Sequence, residues 1–135
     1  MKKFRKFSSI VVIILGVLLI VAGAWGLYFT HKSVVQEKIV TPADAIIANK
    51  PVLGPFTLKA QADVIRKHTL ETTENKTFAE IPRDNPNRDI WITATTLITA
   101  LNLAVLAYAF ASLTLVVGIA FICIGYLFYK FSPVK

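Results

Sequence analysis

Apolar positions crowd two stretches of this chain, and polar positions fill the segment between them. From Ile90 to Tyr129 there is no Asp, Glu, Lys, Arg, His or Pro. A bilayer core about 30 Å thick is crossed by about 20 apolar helical residues, at about 1.5 Å each. One helix over the whole stretch would be about twice that length. Either its first half stands outside lipid, or the stretch turns back as a re-entrant hairpin near residues 109–112. No turn residue marks such a bend, and it would carry Lys130 and Lys135 outward.

A seven-residue repeat laid on this stretch places Thr93, Leu97, Ala100, Ala104, Ala107, Ala111, Thr114, Gly118, Phe121 and Gly125 on its inner positions. Nearly all are small. Inside lipid, helices associate by close packing and not by water exclusion, so a small-residue seam invites a second helix. A heptad period predicts a gentle left-handed crossing. The other apolar run, residues 7–30, offers Ser9, Gly16, Gly23 and Thr30 at the same spacing. It therefore supplies a matching face for an antiparallel partner. A cleaved signal peptide is the rival for this run, but an h-region is about 7–15 residues. Trp25, Tyr28 and Phe29 form an outer aromatic belt, and Tyr126, Phe128 and Tyr129 an inner one.

The middle is punctuated by proline. Thr41-Pro42-Ala43-Asp44 has the residues of a helix start, which predicts a short helix over 42–49, before Pro51. No break signal appears before Thr41-Pro42, so the first long helix is expected to extend a few turns past the membrane. Leu58, Ala62, Ile65 and His68 or Thr69 lie at helical spacing, which predicts an amphipathic helix over 57–74, broken at Asn75-Lys76. Thr77 to Glu80 has capping-box spacing, with Pro82 limiting it to a turn. Asn85-Pro86 opens the last helix. Asn75-Lys76-Thr77 also matches the glycosylation acceptor pattern, which has meaning only in a pathway that glycosylates.

Composition and charge fix the setting. Of 135 residues 55% are hydrophobic, and the mean hydropathy is +0.60, values of a membrane protein. The net charge of +7 is concentrated at the ends: Lys2, Lys3, Arg5 and Lys6 before the first run, Lys130 and Lys135 after the last. Residues 31–89 hold nine basic and eight acidic residues, a net of +1. Basic ends around a near-neutral middle place both termini in the cytoplasm and the middle outside. This pattern points to the lipid bilayer as partner and away from nucleic acid. The single cysteine, Cys123, has no intrachain disulfide partner.

The expected organisation is an all-α membrane protein. It has a mobile basic cap (1–6), a first transmembrane helix (7–30), an extracytoplasmic and mostly helical segment (31–85), a long second helix (86–130, with about 108–129 in the membrane) and a tail (131–135). The two spans form an antiparallel hairpin.

No catalytic constellation stands out, so the chain reads as a non-enzyme without cofactor or metal. His31 and His68 are the only histidines, and a metal site needs three or four clustered ligands. The spans carry no ionisable side chain except tyrosine, whereas ion and proton paths mark themselves with buried charge. Two roles remain. An accessory or structural subunit would dock on a larger membrane complex, or on a second copy, through the seam (Gly16, Gly23, Ala100, Ala104, Ala107, Ala111, Gly118 and Gly125) and the apolar outer part of the long helix. Arg66, Lys67, His68, Arg83 and Trp91 are a candidate docking surface. The other role is an extracytoplasmic module for a lipid or envelope precursor, with Arg66, Lys67 and Arg83 facing anionic headgroups.

Gly54-Pro55-Phe56-Thr57, Gln61 to Glu71, Lys76 to Glu80 and Arg83-Asp84-Asn85-Pro86 resemble a family of small two-span actinobacterial membrane proteins, over roughly residues 10–128. The resemblance implies a plasma membrane beneath a mycolic layer. The family is commonly named aromatic ring-opening dioxygenase, which implies non-haem iron held by two His and a carboxylate. This sequence offers no such set, and no catalytic residue carries over.

Overall fold

The computed structural model describes the backbone of residues 2–131 and the side chains of residues 6–131. Three helices account for most of it: α1 (Lys2–Gln36), α2 (Pro55–Thr72) and α3 (Asn87–Lys130). Among the described residues there is no strand, only an isolated antiparallel bridge between Val40 and Pro51. Both α1 and α3 are long and apolar enough to cross a membrane. At about 1.5 Å per residue, the 44 residues of α3 run about 66 Å. No bend interrupts residues 109–112, which removes the re-entrant alternative.

The chain divides into two compact units. The first joins α1 up to Phe29 with α3 from Ala107 onward. Here the contacts pair 9 with 125, 16 with 118 and 23 with 111, so the two segments run antiparallel. The basic residues 2–6 belong to the first turns of α1. Lys6 Nζ lies 5.9 Å from the Tyr129 ring centroid, and Trp25 stacks on Phe29 at 5.4 Å.

The second unit comprises residues 30–106. Its core is Val34, Val52, Leu58, Ala62, Ile81, Trp91, Ala94 and Leu101, all buried. Helix α1 extends past residue 30 and ends at Gln36, where Lys38 takes a left-handed φ of 50°. The helix expected over 42–49 is absent. Its intended cap, Thr41, is used differently: the hydroxyl accepts the Lys50 N–H at 3.0 Å and donates to the Lys50 carbonyl at 3.1 Å. Backbone bonds from Thr41 N to Lys50 O and from Asn49 N to Thr41 O complete a closed loop. Eight residues of helix would gain few internal hydrogen bonds for a costly nucleus, and the loop satisfies the same groups.

Helix α2 matches its expected span within two residues at each end. Thr57 Oγ1 accepts the N–H groups of Leu53 and Gly54 and donates to the Gly54 carbonyl, which closes its start. At its end Glu74 and Asn75 take left-handed φ values of 55° and 59°. Thr77 to Glu80 is a single turn, its carboxylate accepting both the N–H and the hydroxyl of Thr77 at 2.7 Å. Asn85 Oδ1 accepts the Asn87 N–H at 2.8 Å and opens α3. Arg88 ties that start to the preceding loop by donating to the Ile81 carbonyl at 2.7 Å, with its guanidinium 4.0 Å from the Phe78 ring centroid.

Candidate functional site

In the first unit the seam residues are brought together. A methyl group built on Gly16 would stand 2.7 Å from the Gly118 carbonyl oxygen, and one on Gly118 would stand 2.8 Å from the Gly16 oxygen. A methyl on Gly23 would meet the Ala111 oxygen at 2.8 Å, and one on Gly125 the Ile13 Cγ1 at 2.7 Å. Only the absence of a side chain permits backbone contact this close. Ala111 is buried and Ala107 half-buried.

In the second unit the same seam does something else. Ala94 and Leu101 are buried there, whereas Leu97 and Ala100 are exposed. The buried face of α3 has turned about one residue away from the heptad line. Leu97, Ala100, Leu101 and Ala104 form one wall of a groove of about 490 Å³. Leu58, Gln61 and Ile65 of α2 form the second wall, and Ser33, Val34, Glu37 and Ile39 the third. The volume lies within the range of small-ligand sites, about 300–1,000 Å³. Most of the lining is aliphatic. One side-chain atom stands out: Gln61 Oε1 is shut off from solvent and has no hydrogen-bond partner. A more open depression of about 590 Å³ adjoins the groove, lined in part by Ile65, His68, Asp89 and Leu97.

The expected docking surface divides. Arg66, Lys67, His68 and Arg83 are exposed. Trp91 is not: it is 4% exposed, and its indole N–H donates to Thr73 Oγ1 at 3.2 Å and to the Lys76 carbonyl at 2.9 Å. Named with the docking surface, it instead pins α3 to the end of α2. Arg66 lies 5.9 Å over that ring.

Lys67 and His68 both reach Asp44, at 2.9 and 2.8 Å, with Glu71 3.9 Å from Lys67. Hydrogen bonds from Lys67 and His68 hold the Asp44 carboxyl down at about 2, and Asp44 in turn raises Lys67. Asp44 is a member of this cluster that the sequence pattern assigned elsewhere, to a helix start. The cations expected to meet anionic headgroups are therefore engaged: Lys67 by carboxylates, Arg66 by an aromatic face. Neither they nor Arg83 lines the groove.

His31 Nδ1 sits 3.0 Å from the Leu53 carbonyl oxygen, away from the Asp44 cluster in sequence and in hydrogen bonding. Among the described residues no group of three or more His, Cys, Asp or Glu side chains is placed to hold a metal ion. Cys123 is an exposed free thiol on α3. No known family model, curated protein or solved structure matches the chain.

Proposed function

We propose that this is a non-catalytic integral membrane protein, an accessory or structural subunit that docks on a larger membrane complex. In this reading, residues 7–30 and about 108–129 cross a plasma membrane as an antiparallel hairpin. Both termini are cytoplasmic and residues 31–85 lie outside. The pattern of exposure supports insertion. The most apolar windows of α1 and α3 are only 11% and 17% buried within the chain, whereas the core helix of a soluble protein is mostly buried. Leu18, Val21, Phe110 and Val116 are each about 60% exposed, an arrangement suited to acyl chains. Lys6 beside Tyr129 puts the basic start of one span next to the aromatic end of the other, as a shared interface would require.

One observation carries the docking role. The glycine seam is consumed by the α1–α3 contact, so the pair needs no partner for its own cohesion. Ile92, Leu103 and Leu106, which precede the bilayer-length part of α3, remain more than half exposed. Exposed apolar surface of this kind marks an interaction face. Photoreactive residues placed at Leu103 and Leu106 in native membranes test this. The expected outcome is one membrane protein, or a second copy, crosslinked from both sites in fixed proportion. A protein that stays monomeric and crosslinks only to lipid overturns the reading.

The groove favours a second reading, an extracytoplasmic binding module for a lipid or envelope precursor. Its aliphatic lining supports that reading, whereas none of Arg66, Lys67 and Arg83, the cations expected to hold an anionic head, lines it.

A further inference from the structure

We infer that the turn leading into α2 is an interfacial foot: Leu53 and Phe56 dip into the bilayer leaflet in which the first span ends, and Lys50 meets its phosphates. This rests on the membrane reading above and adds a lipid contact made by a segment outside both spans. Height comes first. Helix α1 continues without a break from the span into residues 31–36. His31 is the first residue past the span, about 1.5 Å along the axis, whereas the headgroup layer is about 5–8 Å deep on each side. A helical side chain leans toward the N-terminus of its helix, which for His31 is toward lipid. Its Nδ1 is 3.0 Å from the Leu53 carbonyl oxygen, so the turn is held at the level of that layer.

Helix α2 gives the same height independently. Its far end is pinned to α3 where the Trp91 indole donates to Thr73 Oγ1. Thr69 and Thr72 share a depression with Asp89 and Ala94, and Leu58 shares the groove with Leu101 and Ala104, so α2 and α3 run antiparallel. The 18 residues of α2 reach about 27 Å from the pin. From Trp91 to Leu106, which precedes the span in the proposed topology, α3 covers about 22 Å. Helix α2 therefore starts at the edge of lipid.

Chemistry fits that height. Phe56 is 81% exposed and Leu53 45%. Such side chains lose contact with water when they enter the boundary between headgroups and acyl chains. The backbone there does not depend on water either. The Lys50 N–H donates to Thr41 Oγ1, that of Val52 to the Ile39 carbonyl, and those of Leu53 and Gly54 to Thr57 Oγ1, while Pro51 and Pro55 have none. Lys50 is exposed and lines one shallow hollow with Leu53 and Phe56. Its long stem lets the ammonium reach a phosphate while the apolar neighbours sit deeper.

The test uses the full chain in lipid nanodiscs, with Cys123 replaced by alanine and a bimane label at Phe56→Cys, Ile46→Cys or Leu18→Cys. Nitroxide quenchers are placed high on the acyl chain, near its end, or on a soluble compound. The label at 56, a ring in place of a ring, is expected to be quenched about threefold more by the high acyl nitroxide than by the soluble one. The label at 46 should show the reverse. Ile46 is 87% exposed, but its neighbour in the loop, Asp44, is held by Lys67 and His68, about 18 Å along α2 from its start. A label at Gly54→Cys, where an added side chain meets nothing within 4 Å, reads the contribution of the ring. Phe56→Ser should lower its acyl quenching about threefold, and no change would overturn the inference. Leu18 lies in the first span and should be quenched from the acyl chain. If it is, and the label at 56 is quenched from water or shielded from every quencher as beneath a partner protein, the inference falls alone. If Leu18 is also quenched from water, the membrane reading falls with it.

Discussion

Gly118→Ala is the most direct probe of the α1–α3 contact. The added methyl would lie 2.8 Å from the Gly16 carbonyl oxygen, 2.8 Å from Ile20 Cγ1 and 2.9 Å from the Ile20 nitrogen. Carbon atoms pack comfortably at about 3.5–4.0 Å, and carbon against a carbonyl oxygen at about 3.3–3.6 Å. Two of the three neighbours are backbone atoms, so no side-chain rotation clears the space. The helices must separate locally by about 0.5–1 Å. A gap of that size forfeits about a quarter to a half of each dispersion contact it opens. Overpacking of this kind costs about 1–3 kcal/mol, and alanine returns at most about 1 kcal/mol of helix propensity. With that full return the net is about 0–2 kcal/mol, up to about a 30-fold shift toward separated helices.

Energy transfer between dyes at Phe7→Cys and Phe131→Cys, both exposed positions, reads the separation during reversible unfolding in mixed micelles. Cys123 is first replaced by alanine. The structure also supplies graded controls. A methyl on Gly26 would meet only the Ala111 Cβ at 3.2 Å, and Gly54 has nothing within 4 Å. The expected order of damage is Gly118→Ala, then Gly26→Ala, then Gly54→Ala near zero. If Gly118→Ala proves no worse than Gly54→Ala, the close contact is not what holds the pair.

Three further outcomes follow from the second unit. Trp91→Phe keeps most of the ring but loses the indole N–H shared by Thr73 and the Lys76 carbonyl. It should cost about 1–3 kcal/mol, seen as faster amide exchange over residues 69–80. Thr41→Val leaves the Lys50 N–H and carbonyl without the hydroxyl, at a cost of about 1–3 kcal/mol, and limited proteolysis should then cut within 42–49. Asp44 is held at about 2, below its ordinary 3.8, by hydrogen bonds from Lys67 and His68. A depressed carboxyl stabilises the fold above its unfolded value, so this contribution is complete above about pH 4 and fades as pH falls from 3.8 to about 2. Amide exchange over residues 41–50 should speed up in that window, and Asp44→Asn should remove the transition. High salt should blunt the effect, because all three side chains are about half exposed.

The apolar runs and their caps were legible in the sequence because they depend on neighbours a few residues away. A run of forty uncharged residues can only be one continuous helix or a hairpin, and Asn85-Pro86 marks where it begins. Glu80 closes its local turn on Thr77 at i,i+3 spacing, a distance a sequence pattern can see. The heptads through Gly16 and Gly118 were equally legible, since periodicity survives in one dimension. What required the tertiary structure was every choice between partners far apart in the chain. Thr41 looks like a cap until Lys50 is brought against it, and Asp44 looks like a helix-start acid until Lys67 and His68 arrive from α2. Trp91 reads as surface until Thr73 and Lys76 accept its N–H. The seam itself is one pattern with two fates: glycine at positions 118 and 125 admits a backbone, and it packs. Alanine at 100 and 104 lines a groove. A periodic pattern specifies which face of a helix is small, but only the position of the neighbouring chain decides whether that face is filled.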